Sequence, residues 1–145
     1  MSAADVTLDP RLEQDCFVLG RLKLCRLLLM NNAAVPWYIL VPDTAATEIC
    51  DLNLMAQAIL YDEINVVSGY VQGIAGVEKL NVAAIGNIVR QLHVHVVGRH
   101  PADFAWPGVV CGVASNEQYT DEQVVEIVVA VKEQLGDAFV AARSF

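Results

Sequence analysis

The chain has 145 residues, a formal charge of -8, 55% hydrophobic residues and only 18% charged ones. That is enough for one folded domain spanning 1–145 with a buried core, and too apolar for a disordered segment. A net negative chain repels polyanions, so a nucleic acid polymer is not an expected partner, whereas a small phosphorylated ligand stays open because backbone N–H groups and imidazole can build a local pocket.

Cys16, Cys25, Cys50 and Cys111 form no Cys-x-x-Cys pair, which removes the metal-knuckle and thioredoxin readings. The polar, acidic start "MSAADVTLDP" has no signal-peptide character, and no run of about 18 apolar residues is present. A cytoplasmic protein with free thiols and no membrane contact is the expectation.

Residues 1–15 read as an irregular or short helical lead-in around Pro10. Two strands follow, Cys16–Leu19 and Leu24–Asn31, with residues 20–23 as their turn, and a third runs over Trp37–Val41 up to Pro42. Asp51 is placed to cap a helix beginning at Leu52. In it Leu52, Ala56, Ile59, Leu60, Ile64, Val67 and Val71 recur at three- and four-residue steps as far as Gly73. "KLNVAAIG" and "RQLHVHVVGR" are the fourth and fifth strands, and Thr120 with Gln123 forms a capping box for a last helix over Asp121–Leu135. Short strand connections with a long helix on one face predict an α+β fold: a five-stranded, mainly antiparallel sheet with an added C-terminal helix.

The fifth strand carries His93 and His95 within an apolar run. Strand side chains alternate, so Gln91, His93 and His95 share one face, about 6.5–7 Å apart step by step, and Leu92, Val94 and Val96 share the face meeting the helix. Three readings fit: half-exposed sheet residues without chemistry, two metal ligands, or a nucleophile beside a phosphate partner. Zinc asks for a third protein ligand, and His100 lies beyond the Gly98 break, so no metal and no cofactor is expected.

"QLHVHVV" resembles the signature of the histidine triad (HIT) family, His-φ-His-φ-His-φ-φ with φ apolar. "GNIV" before it is similar to that family's Gly-Gln-x-Val segment. "GR", "WPG" and the earlier "LLLMNNAAVPWYILVP" also resemble HIT proteins, so the likeness runs from about Cys16 to Gly108 and leaves residues 109–145 outside it. It implies a nucleotide hydrolase or transferase acting at an α-phosphate, usually as a homodimer, on phosphoramidates, adenylylated conjugates or dinucleoside polyphosphates. The implied nucleophile is His93, forming a covalent nucleotidyl-histidine. His95 is the implied phosphate partner, and Asn87 with the backbone N–H groups of Ile88 and Val89 provides further phosphate contacts. A nucleotide-binding protein with little turnover and a metal-dependent hydrolase are the rival readings.

Three positions depart from the family pattern. Gln91 stands where the first His is usual, and its backbone carbonyl still provides the acceptor for the His93 N–H. Trp37 stands where many HIT proteins have another His, in a locality expected to be shared with Gln91. The turn "LMNNAAV" lacks the family's ribose-binding Asp, which leaves Asn31 as the candidate hydroxyl partner. Arg99 reads as a solvated strand-end charge or a phosphate contact, Trp106 as a packing residue at a Trp-Pro-Gly corner, and Asn81 as a site-orienting or turn residue.

Overall fold

In the computed structural model, which describes residues 6–142, the chain forms α1 (Pro10–Asp15), β1 (Cys16–Arg21), β2 (Cys25–Met30), β3 (Trp37–Pro42), α2 (Leu54–Gln72), β4 (Lys79–Ala84), β5 (Val94–Arg99), α3 (Asp121–Leu135) and β6 (Val140–Ala141). The lead-in is thus partly helical; residues 1–5 lie outside the described residues. The sheet has six strands in the order β4-β5-β3-β2-β1-β6, and every neighbouring pair is antiparallel.

The α+β architecture is as expected, with one strand more. β6 is only two residues long and pairs with the end of β1 at Gly20 and Arg21. A Cβ on Gly20 would lie 2.3 Å from the Val140 carbonyl oxygen, so the missing side chain is what lets this edge form. Gly20 therefore belongs to β1 and not to the turn, and the register of β1 on β2 shifts between Val18 and Gly20.

Asn53, not Asp51, caps α2: its Oδ1 accepts from the Ala56 N–H at 2.8 Å, while Ile49–Asp51 forms a short 3-10 turn. The α3 cap is as expected, with Thr120 and Gln123 each bonding the other's backbone N–H. Leu60, Val67 and Val71 of α2 and Val124, Val128 and Val131 of α3 meet Leu27, Tyr38, Leu40, Leu92, Val94 and Val96 in the larger core. Leu28, Trp37, Ile39, Val41 and Val97 face the other way and pack with Leu12 of α1 and Val110.

Glu63 breaks the apolar stripe of α2 yet is buried. Its carboxylate accepts from the Leu24 and Cys25 N–H groups at 2.8 and 3.1 Å, tying the β1–β2 turn to the helix. Burial pushes this carboxyl above its ordinary range, and the two N–H groups pull it partly back.

Candidate functional site

β5 begins at Val94 rather than Arg90, and the stretch from Ile85 to His93 has no regular secondary structure. The alternation nevertheless continues through it. Leu92, Val94 and Val96 point into the core under α2, and His95 pairs across the sheet with Ile39 on β3, a residue of the opposite face. The His93 and His95 rings meet edge to face, with centroids 5.0 Å apart. Both are buried, at 5% and 7% exposure, so the reading of two half-exposed sheet residues does not hold.

Each imidazole is held by its inner nitrogen. His93 Nδ1 lies 2.6 Å from the Gln91 carbonyl oxygen. A carbonyl only accepts, so His93 donates from Nδ1, and the neutral ring then carries its lone pair on Nε2. His95 Nδ1 accepts from the Trp37 indole N–H at 2.9 Å. Burial first, and the neighbouring His93 second, lower the His95 pKa from 6.5 to about 4.

The Gln91 side chain is spent elsewhere. Its Oε1 accepts from the Asp9 N–H at 2.7 Å and its Nε2 donates to the Thr7 carbonyl at 3.2 Å. Asp9 in turn caps α1 through the Arg11 N–H. Gln91 thus fastens the N-terminal segment to the strand entry while its backbone holds His93. Trp37 pairs with Val97 and its indole reaches His95, whose ring centroid is 5.8 Å from its own. Trp37 and Gln91 hold different groups, one the second imidazole and the other the N-terminal segment, yet Leu8 of that segment packs in the same cluster as Trp37.

His93 lines a cleft of about 120 Å³ with Thr47, Glu48, Ile85, Gly86, Arg90 and Gln91 among its walls. Asn87, Ile88 and Val89 follow Gly86 on the same irregular stretch, and Ile88 is 76% exposed. Asn31 is not in this cleft. It lines a separate space with Asn32, Trp37, Ser115 and Gln118, and its Oδ1 accepts from the Tyr119 N–H at 2.9 Å, fixing the approach to α3.

Arg99 is neither solvated nor a phosphate contact. It is 1% exposed and donates to Asp103 through two nitrogens at 2.8 and 3.0 Å, to Asn81 at 2.7 Å and to the Gly108 carbonyl at 2.8 Å. Its guanidinium holds the Asp103 carboxyl well below the usual range, and the Trp106 ring lies over it at 5.6 Å. Asn81 serves this cluster rather than the histidines. Arg90 lines the cleft with His93, which the sequence signals only by its lying three residues earlier. His100 is exposed, and its Nδ1 accepts from the Ala102 N–H at the end of β5. No group of three or more His, Cys, Asp or Glu placed to hold a metal occurs among the described residues.

Residues 11–102 match the HIT domain. The chain belongs to the HIT family. Its fold superposes on a HIT protein of Sinorhizobium meliloti 1021 with a TM-score of 0.84 at 43% identity, covering 88% of this chain and 96% of that one. A histidine triad protein of Bradyrhizobium japonicum gives 0.85 at 38% identity, with coverage of 90% and 98%. One from Marinobacter aquaeolei VT8 gives 0.85 at 38%, with coverage of 91% and 97%. Coverage of about nine-tenths of this chain extends the likeness past residue 108, where the sequence motifs stop. No curated protein shows significant similarity. No helix among the described residues is long and apolar enough to cross a membrane.

Proposed function

We propose that this HIT protein is a nucleotide hydrolase or transferase that works at an α-phosphate through a covalent nucleotidyl group on His93. The carrying observation is the 2.6 Å contact of His93 Nδ1 with the Gln91 carbonyl, which in the neutral ring leaves the Nε2 lone pair as the nucleophile. Gln91 acts in this reading through its backbone alone, which is why an amide can stand at the position where the family usually has its first His. His95 Nε2–H donates to a phosphate oxygen as charge develops.

The Asn87 amide, the Ile88 and Val89 N–H groups and Arg90 complete the phosphate cradle. The N–H groups of Asn87, Ile88 and Val89 donate to no acceptor among the described residues, which favours such a role. Asn31 lies outside the His93 cleft, but the space it lines includes Trp37, which bonds His95; a ribose extending that way would meet its amide nitrogen, since its oxygen is engaged by Tyr119. The chain works in the cytoplasm as a homodimer. β4 is a sheet edge with Val82 47% exposed and Ile85 near it exposed too, an apolar border that pairing with a second copy would cover. Equilibrium sedimentation at twice 15.8 kDa tests that part.

The test of the activity is turnover of a panel of nucleoside phosphoramidates, adenylylated conjugates and dinucleoside polyphosphates by wild type and His93→Ala. Turnover that vanishes in the variant supports the reading. Tight binding of nucleoside monophosphate with no product from any substrate would instead make this a binding protein, and loss of activity on chelation would make it a metal enzyme.

A further inference from the structure

Trp37 is a buried polar group to which the proposed reaction gives no part, yet it touches one of the two imidazoles. An indole N–H can only donate. Its 2.9 Å bond to His95 Nδ1 therefore requires a lone pair there, and the single proton of the neutral ring sits on Nε2. Making His95 cationic would place a second hydrogen on Nδ1 facing the indole N–H, inside a site where the ring is 7% exposed and the His93 ring lies at 5.0 Å. The His93 N–H faces the Gln91 carbonyl, away from an incoming phosphorus. The Gln91 amide carries no titratable proton. Glu48, lining the cleft with His93, presents an exposed carboxylate, an acceptor when ionised. Arg90, on the same wall, keeps its protons.

We propose that Trp37 is a positioning residue that sets leaving-group specificity: it fixes His95 as a neutral Nε2–H donor, so the site expels only groups that depart as stable anions. This rests on the attack by His93 proposed above. The step balances without a proton. The His93 Nε2 lone pair forms the N–P bond, the bond from phosphorus to the leaving oxygen breaks, and its electron pair leaves on that oxygen, while Nε2–H of His95 and Arg90 bond the non-bridging oxygens. In the second step an anionic oxygen acceptor attacks phosphorus and the electron pair of the N–P bond returns to His93. An alkylamine cannot leave this way, because it must first gain a proton and none of the groups named can give one. Substrates with phosphate-like leaving groups are therefore favoured over alkyl phosphoramidates.

The test uses nucleoside 5′-phosphates esterified with a series of phenols, from nitrophenol to unsubstituted phenol, with phenol release read in the first turnover. The wild-type rate should fall by about 10²-fold or more across the series, the factor that a general acid would otherwise recover. The ¹⁵N signals of His95 should place its proton on Nε2. Trp37→Phe keeps an aromatic ring in the core but frees Nδ1, and should mix the two tautomers, so that fewer rings present the Nε2–H donor and release of nitrophenol slows. A flat wild-type series, a His95 proton on Nδ1, or an unchanged single Nε2–H tautomer and unchanged nitrophenol release in a folded Trp37→Phe would each overturn the proposal while leaving His93 as nucleophile. If even the nitrophenyl ester releases no phenol, the proposed attack by His93 has failed and this proposal falls with it. Should Trp37→Phe not fold, the wild-type series and the wild-type ¹⁵N signals decide.

Discussion

His93 and His95 differ in what grips the inner nitrogen, an accepting carbonyl in one case and a donating indole in the other, and that difference sets opposite roles for the outer nitrogens. His93→Ala should abolish turnover. His95→Ala should cost on the order of 10²–10³ in kcat, since it removes one donor to the developing charge. Gln91→Ala should cost far less in kcat because the carbonyl survives, but it also drops the bonds to Thr7 and Asp9. Two side-chain hydrogen bonds at about 1 kcal/mol each should lower the thermal midpoint by a few degrees, read by calorimetry. A Gln91→Ala variant as inactive as His93→Ala would mean that the amide itself takes part. The alternation that groups the histidines was legible in "QLHVHVV" because a strand repeats every two residues. The partners of Gln91 lie 82 and 84 positions away and Trp37 lies 58 from His95, and no local pattern reports contacts of that range. The partners of Arg99 are nearer in the chain, but its burial depends on Asp103, Asn81 and Gly108 converging on it from a loop and a neighbouring strand, which strand alternation does not report.

At the scale of elements, what was legible is what is decided locally. Thr120 and Gln123 are three residues apart and satisfy each other, so the start of α3 follows from its own sequence. Asp51 and Asn53 are both competent caps two residues apart, and the choice falls to Asn53 only because residues 49–51 close into a turn of their own. β6 is too short for a periodic signal and exists through the bare Cα of Gly20. Glu63 carries the connection between α2 and the β1–β2 turn. Glu63→Ala strands the Leu24 and Cys25 N–H groups in a buried place, which should cost about 2–4 kcal/mol in urea unfolding at neutral pH. Glu63→Gln, which keeps an acceptor oxygen, should cost less. Equal losses for the two would show that the carboxylate charge, not the acceptor, holds the turn.

For the molecule as a whole, acid stability reports the buried site. The His95 pKa falls from 6.5 to about 4 on folding, so below 6.5 the unfolded chain binds the proton that the folded ring refuses. Its contribution is full above pH 6.5 and is lost as pH falls toward 4, amounting to about 2–3 kcal/mol. Asp103, held low by Arg99, loses its contribution only below the ordinary carboxylate range. Glu63, raised by burial, works the other way and favours the folded state as pH drops through its own range. Unfolding free energies at pH 7 and pH 4.5 should therefore diverge in the wild type and converge in His95→Asn; equal slopes in the two would place the acid sensitivity elsewhere.

The central claim is that phosphorus becomes bonded to His93 Nε2, and the most direct measurement is the mass of the intact protein quenched during turnover of a nucleotide anhydride, followed by peptide mapping. The account predicts one added nucleotidyl group per chain, on the peptide holding His93, released by acid as a P–N bond is, and absent from His93→Ala. An adduct on another residue, or wild-type turnover retained by His93→Ala, would contradict it.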